Sequence, residues 1–136
     1  KLRDNIQYEF KGNVSNTELM KQYQDKNYYV FVNVSSSEGI PVSIMEATSF
    51  GIPCIATDAG GTKEIISDKE NGVLLDRDAR TEIITASISK FCSMTDEEYR
   101  EYRRCSRERW ISKFNAKSNY EIYVTQLLKQ ISGDKE

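Results

Sequence analysis

The sequence predicts an α/β domain built on an open, doubly wound parallel sheet. Short apolar segments at residues 27–34, 52–58 and 71–76 alternate with helical patterns, which is the order of parallel β-α units. These segments show little polar alternation, as expected of strands covered on both faces. Because ligands bind beyond the carboxyl ends of strands in such sheets, a site is expected in the loops that follow them.

The first elements have clear local signals. Residues 5–10 alternate between apolar and polar side chains and predict a short, half-buried strand. A helix is expected after Gly12, with Ser15 or Asn16 as its N-cap. The segment 27–34 is aromatic and β-branched without alternation, which predicts a strand buried on both faces.

The helix over residues 41–50 is bounded by two strong signals. Pro41 lies near its first position, where a missing N–H costs little, and Gly51 follows its end. After the strand at 52–58, a Gly-rich turn and a brief helix are expected. An Asn-Gly turn then leads into the strand at 71–76.

The rest of the chain is predicted to be helical. Three helical patterns follow from about Arg80, and Thr95 is the expected cap of the second. They run "TEIITASISKFC", "TDEEYREYRRCSRERW" and "KSNYEIYVTQLLKQI". We expect residues 1–136 to form a single lobe, with strand and helix units over about 5–76 and C-terminal helices over about 79–132.

The composition of the chain argues against two classes of partner, nucleic acid and the membrane interior. The chain has 136 residues, a net charge of −2 and a pI of about 5.4, which argues against nucleic acid, whose phosphates call for a basic surface. Neither a membrane span nor a secretory leader is expected, since no apolar run is long enough for the first and none follows the charged start. The chain begins with Lys1 rather than Met, so we expect it to be part of a longer protein.

The residues available for chemistry are limited. The sequence has no histidine, and its three cysteines are scattered without a C-x-x-C pair. A zinc site and a disulfide framework are therefore not expected, and Ser-His or Cys-His catalysis is excluded. Carboxylates, backbone amides or basic side chains would have to carry any catalysis.

The stretch "SSSEGIPVSIMEATSFGIPCIATDAGG", residues 35–61, places two glutamates around a predicted helix start. A helix N-terminus offers free N–H groups and the positive end of the dipole, which together bind anions such as phosphate. Gly39 lets a ligand approach the backbone, and Ser43 adds a hydroxyl. The sequence therefore predicts a phosphate site at the start of this helix.

Glu46 and Glu38 would lie on either side of that phosphate site. Glu46 is about 6 Å along the helix axis from Val42, where its carboxylate could accept hydrogen bonds from the hydroxyls of a ribose. Glu38, in the loop, would reach the group carried by the distal phosphate. The alternative is that both are only capping or dipole-stabilising residues.

The motif "EGIPVSIMEATSFGIPCIATDAGGTKEII" resembles the nucleotide-sugar binding region of retaining glycosyltransferases of family 4, also called glycosyl transferases group 1. The shared pattern is a Glu, seven residues and a second Glu, here Glu38 and Glu46, with Gly39 and Pro41 between them. "NGVLL" and "RERWISKFN" continue the likeness. It implies a Rossmann-like doubly wound sheet, the C-terminal lobe of the GT-B architecture, with its N-terminal part incomplete.

The resemblance implies a role for each motif residue. Glu38 would contact the donor sugar and stabilise the transition state, and Glu46 would bind the ribose. The backbone from Gly39 to Ser43 would hold the diphosphate; these donor-binding residues are Gly39, Ile40, Pro41, Val42 and Ser43. Transfer from a nucleoside diphosphate sugar would retain the anomeric configuration, with no metal or other cofactor.

The resemblance also implies partners. An N-terminal lobe of the parent protein would hold a lipid-linked or saccharide acceptor, and an Arg and a Lys that neutralise the diphosphate would precede Lys1. We therefore expect the chain alone to be inactive. The resemblance favours polysaccharide or glycolipid synthesis in the cytoplasm, with peripheral attachment at the inner face of the membrane as a further expectation.

Three other functions stay open from the sequence. They are an epimerase or phosphorylase-like enzyme on the same fold, a nucleotide-sugar-binding module without turnover, and a structural α/β domain without nucleotide affinity. The last would make Glu38 and Glu46 ordinary helix-start residues.

Two further features have alternative interpretations. The arginines at 100, 103, 104 and 107 share one side of a helix, and surface pairing with nearby glutamates is favoured over contact with anionic lipid. Gly60 and Gly61 would either leave room for the nucleotide or allow a tight turn between strand and helix.

Overall fold

Three parallel strands form the sheet of the computed structural model, which describes residues 6–133. They are β1 (Phe31–Asn33), β2 (Cys54–Thr57) and β3 (Gly72–Leu75). β2 lies between the other two and pairs with both in parallel. The three carboxyl ends therefore meet at one edge of the sheet.

Helices occupy most of the remaining described chain. Within residues 6–133 they are α1 (Asn16–Asp25), α2 (Val42–Ser49), α3 (Thr62–Ile65), α4 (Thr81–Cys92), α5 (Asp96–Lys113) and α6 (Ala116–Gly133). Their order agrees with the helical patterns predicted from the sequence.

The sheet has a hydrophobic core on each face, because β2 alternates its side chains between them. Cys54 and Ala56 are fully buried against α1, α2 and α3. Ile55 points to the opposite face and packs with Phe91 of α4. The prediction of a doubly wound parallel sheet is confirmed, and β2 has the two-sided burial expected of such a strand.

The predicted strand at 5–10 is wrong for the residues that can be judged. Residue 5 lies outside the described residues, and 6–10 form no strand and are exposed, with Phe10 91% exposed. A β-strand needs backbone hydrogen bonds from a neighbouring strand, and within the described chain no strand pairs with residues 6–10. Alternation of side chains was therefore a misleading signal here.

The strand predicted at 27–34 is shorter and less buried than expected. Only Phe31–Asn33 pairs with β2, and Val32 is 38% exposed. β1 forms the edge of the described sheet, so two-sided burial is wrong for this strand. An apolar run without alternation does not distinguish a central strand from an edge strand.

The helix ends follow from local sequence. Ser15, not Asn16, caps α1, and its hydroxyl accepts the N–H of Glu18 at 3.3 Å. Thr95 and Glu98 form a reciprocal capping box at the start of α5, as the predicted cap requires. These contacts fix where α1 and α5 begin.

Helix α2 ends in a Schellman motif. Gly51 has φ +67°, and its N–H donates to the carbonyl of Thr48 at 2.9 Å. The N–H of Ile52 donates to the carbonyl of Ala47 at 3.1 Å. Glycine is favoured at this left-handed position, which explains the predicted stop.

Helix α6 leaves a row of apolar side chains exposed. The row consists of Tyr120, Tyr123, Leu127, Leu128 and Ile131. In the part of the chain that the structure describes, no helix is both long enough and apolar enough to span a bilayer.

Candidate functional site

The loop that carries Glu38 leaves β1 at the carboxyl edge of the sheet and is anchored by the neighbouring strands. The hydroxyl of Thr57, at the end of β2, donates to the Ser35 carbonyl at 2.5 Å. Nε of Arg77, just after β3, donates to the Ser36 carbonyl at 2.6 Å. All three strands therefore contribute to the position of this loop.

The Gly60–Gly61 turn provides a third anchor. The N–H of Gly61 donates to the Gly39 carbonyl at 2.6 Å. Gly60 has φ +55°, and a Cβ there would lie 2.5 Å from the Gly39 carbonyl oxygen and closer still to that of Glu38. The two glycines thus let the β2–α3 turn approach the Glu38 loop, which supports a structural role for the pair.

The Glu38 side chain is half-buried and held in place. Nδ2 of Asn33, the last residue of β1, donates to Glu38 Oε1 at 3.1 Å. Oδ1 of the same amide accepts the Ser35 N–H at 3.0 Å. Hydrogen bonds from Ser35 and Asn33 lower the pKa of the Glu38 carboxyl, so the carboxylate form is favoured.

The N-terminus of α2 is open. Pro41 is the N-cap and has no side chain that can accept a hydrogen bond; its carbonyl accepts the N–H groups of Ile44 and Met45 at 3.1 and 3.2 Å. Within residues 6–133, no backbone acceptor meets the N–H groups of Val42 and Ser43. Such groups can bind an anion.

The surface around this helix start is exposed. Ile40 and Val42 are 54% and 60% exposed, and a Cβ built on Gly39 would meet nothing within 4 Å. The fold therefore places no steric demand on Gly39. This absence of contacts is compatible with the predicted approach of a ligand to the backbone.

Glu46 lies on α2 and has a different partner. Its carboxylate accepts a hydrogen bond from Nδ2 of Asn16, the first residue of α1, at 2.5 Å. Glu38 and Glu46 are thus held by different elements, Glu38 by β1 and Glu46 by α1. In sequence, Glu38 precedes and Glu46 follows the open start of α2.

The C-terminus of α2 is closed by helix α5. Nη2 of Arg103 donates to the Phe50 carbonyl at 3.2 Å, and Nη1 of Arg107 donates to the Ser49 carbonyl. Together with the Schellman motif, these contacts occupy the last carbonyls of the helix. Surface pairing was therefore the wrong prediction for Arg103 and Arg107.

Arg104 has the surface pairing that was predicted for all four arginines. Its guanidinium bonds Glu101 and Glu108, each at 2.5 Å. The glutamates lie three residues before and four residues after it, so the spacing alone identified this pair. Sequence spacing could not show that Arg103 and Arg107 differ from Arg104, because their acceptors are backbone carbonyls at the end of another helix.

Asn33 and Asn16 are the site residues that the sequence did not identify. Asn16 appeared only as a candidate cap, and Asn33 appeared only as part of a strand. An amide that follows an apolar run is a weak sign of such a role. Their partners became visible only once β1, α1 and α2 were placed together.

No metal centre is found in the described ranges. Among residues 6–133, no three His, Cys, Asp or Glu side chains lie together in a way that could hold a metal ion. The polar groups around α2 include carboxylates, which accept hydrogen bonds, and backbone N–H groups, which donate them.

Relatives of the chain are glycosyltransferases. It is 29% identical over 111 residues to the GtfA subunit of UDP-N-acetylglucosamine–peptide N-acetylglucosaminyltransferase from Streptococcus gordonii, a match that covers 79% of this chain and 22% of that protein. It is 39% identical over 54 residues to the lipopolysaccharide 1,6-galactosyltransferase of Salmonella typhimurium, covering 39% of this chain and 15% of that enzyme. The chain thus spans about a fifth or less of the length of these relatives.

Solved structures share the fold. The C-terminal domain of LpcC, a glycosyl transferase group 1 family protein from Francisella tularensis, has a TM-score of 0.67 at 22% identity and matches 79% of this chain and 53% of that chain. The predicted fold class, the C-terminal lobe of the GT-B architecture, is confirmed by such neighbours. The profile of the family described as Glycosyl transferases group 1 matches residues 1–113. The chain therefore belongs to the glycosyl transferases group 1 family.

Proposed function

We propose that this chain is the donor-binding lobe of a retaining glycosyltransferase that uses a nucleoside diphosphate sugar. The observation that carries the proposal is the open N-terminus of α2, with Glu38 before it and Glu46 after it. It lies at the carboxyl edge of a parallel sheet, where ligands of such folds bind. Membership of the family supplies the reaction class.

The diphosphate would bind the backbone at the start of α2. Val42 and Ser43 offer N–H groups, and the exposed backbone of Gly39 and Ile40 lies beside them. Buried Pro41 fixes the entry of the loop into the helix. Donors aimed at the departing diphosphate would stabilise the charge that develops during transfer.

The two carboxylates would have separate tasks. Glu46 would accept hydrogen bonds from the ribose hydroxyls of the nucleotide. Glu38, with its pKa lowered, would be negatively charged at neutral pH and would face the donor sugar, where positive charge develops in the transition state of glycosyl transfer. Retention of anomeric configuration follows from the family resemblance.

The acceptor would be held by an N-terminal lobe of the parent protein. The chain spans 22% of its Streptococcus gordonii relative, so most of such an enzyme would lie outside it. That lobe, and the basic residues expected before Lys1, would be needed for turnover. We propose a saccharide or lipid-linked acceptor, no required metal, and a role in cytoplasmic polysaccharide biosynthesis.

A nucleotide titration tests the proposal. The chain is titrated with UDP, GDP, ADP and TDP by ligand-observed NMR, beside Glu46→Ala and a matched control, Glu121→Ala, which removes an exposed carboxylate from α6. One nucleotide should bind the unmodified chain and the control, and Glu46→Ala should lose it. Each variant is first checked for its native fold by circular dichroism.

Two results would contradict the proposal. Equal binding by Glu46→Ala and the unmodified chain would remove Glu46 from the site. Absence of binding by every nucleotide, in both this chain and the longer protein, would favour a structural α/β domain. Binding by the longer protein alone would place essential contacts in the N-terminal part.

A further inference from the structure

The Asn33 side chain joins the backbone of the Glu38 loop to the Glu38 carboxylate. Its two hydrogen bonds go to Ser35 and to Glu38. A backbone N–H can only donate, so it must face the oxygen of the amide, and the NH2 group must then face Glu38. The amide orientation is therefore determined by the Ser35 N–H.

The backbone of the loop has three anchors besides its bond to Asn33. Thr57, Arg77 and the Gly60–Gly61 turn each anchor its backbone through a separate contact. The bond from Asn33 Nδ2 ends on the side chain of Glu38 instead. Its loss would leave three backbone anchors in place and remove one of the two hydrogen-bond partners of the Glu38 carboxylate, with Ser35 as the remaining partner.

We propose that Asn33 is a positioning residue, whose amide directs the Glu38 carboxylate toward the sugar of a bound donor. This inference rests on the proposed function, which gives Glu38 that task. A glutamate side chain rotates about several bonds, and a fixed partner removes that freedom before the donor arrives. Small errors in the placement of a catalytic group lower the rate strongly.

The central variant is Asn33→Asp. It keeps the shape of the side chain and an oxygen for the Ser35 N–H, but it replaces the amide donor with an anion that faces Glu38. Thr57→Val is the matched control, because it removes a loop anchor without touching the Glu38 carboxylate. Asn33→Ser is a second variant that removes the amide without adding a charge.

The first measurement is a carbon-detected NMR titration of the Glu38 carboxyl in this chain. Asn33→Asp and Asn33→Ser should raise the pKa of Glu38 above its value in the unmodified chain, and Thr57→Val, which keeps the Asn33–Glu38 bond, should change it less. No nucleotide is needed, so the result stands even if the proposed function fails. An unchanged pKa of Glu38 in both Asn33 variants would overturn the inference.

The second measurement uses the longer protein to which we assign this lobe. Asn33→Asp should lower kcat about tenfold to a hundredfold with little change in the donor KM. Combined with Glu38→Gln, it should cause no further loss beyond Glu38→Gln alone, since Asn33 would act through Glu38. Additive losses, or a rise in donor KM as large as the fall in kcat, would indicate a merely structural role and overturn the inference.

Discussion

At the scale of single residues, two glycines near the site differ in whether the fold has room for a side chain. Gly60 has a left-handed backbone, and the carbonyls of the Glu38 loop occupy the space where a Cβ would lie. Gly39 has open space on its Cβ side and lies outside the left-handed region. The fold therefore requires glycine at Gly60 but not at Gly39.

Alanine substitution at each position should distinguish an effect on stability from an effect on nucleotide binding. Gly60→Ala is expected to lower the free energy of unfolding by about 2 kcal/mol or more, from strained backbone and the close carbonyls. Gly39→Ala should change it by less than about 0.5 kcal/mol and yet weaken nucleotide binding. Urea denaturation and the nucleotide titration measure the two effects. Equal losses of stability would contradict this account.

At the scale of elements, α2 depends on α5. Helices this short are marginal on their own, and α2 has eight residues. Arg103 and Arg107 bind the carbonyls at its C-terminus, and a cation there also opposes the local negative charge. The helix that carries the candidate site is thus held by a helix far along the chain.

Removing these arginines should destabilise the fold. Arg103→Ala is expected to lower the free energy of unfolding by about 1 kcal/mol, and the double variant with Arg107→Ala should lose more than either single variant. Arg100→Ala, on the same helix and exposed, is the control and should leave stability nearly unchanged. Thermal unfolding of the two single variants, the double variant and Arg100→Ala measures these differences. An equal effect of Arg100→Ala would assign the loss to helix α5 itself.

Local signals account for what the sequence could predict. Pro41 and Gly51 mark the ends of α2 because each acts through its own backbone, and Glu38 and Glu46 belong to one short motif. The acceptors of Arg103 and Arg107 lie 53 and 58 residues away. No spacing rule reaches that far. Asn16 and Glu46 are likewise 30 residues apart, whereas Asn33 is only five residues from Glu38 and was missed because the contact depends on how the loop folds back onto β1.

At the scale of the whole molecule, β2 connects two cores. Cys54 and Ala56 belong to the core with α1, α2 and α3, and Ile55 belongs to the core with α4. Neither core can open fully without exposing part of this strand. We therefore expect the two faces of the sheet to unfold together.

Because Cys54 is buried, the rate at which a reagent modifies its thiol can report how often β2 becomes exposed. Burial raises the pKa of its thiol, whereas Cys92 is exposed. A thiol reagent should modify exposed Cys92 rapidly and buried Cys54 more than about a thousandfold more slowly. The reason is that the Cys54 thiol becomes accessible only when the fold opens. Mass spectrometry of a Cys92→Ser, Cys105→Ser variant measures that rate. Rapid modification of Cys54 would mean that β2 opens locally. Slow modification that urea accelerates would mean that the reaction requires unfolding, and the rate at this one sulfur atom would then report the lifetime of the folded lobe.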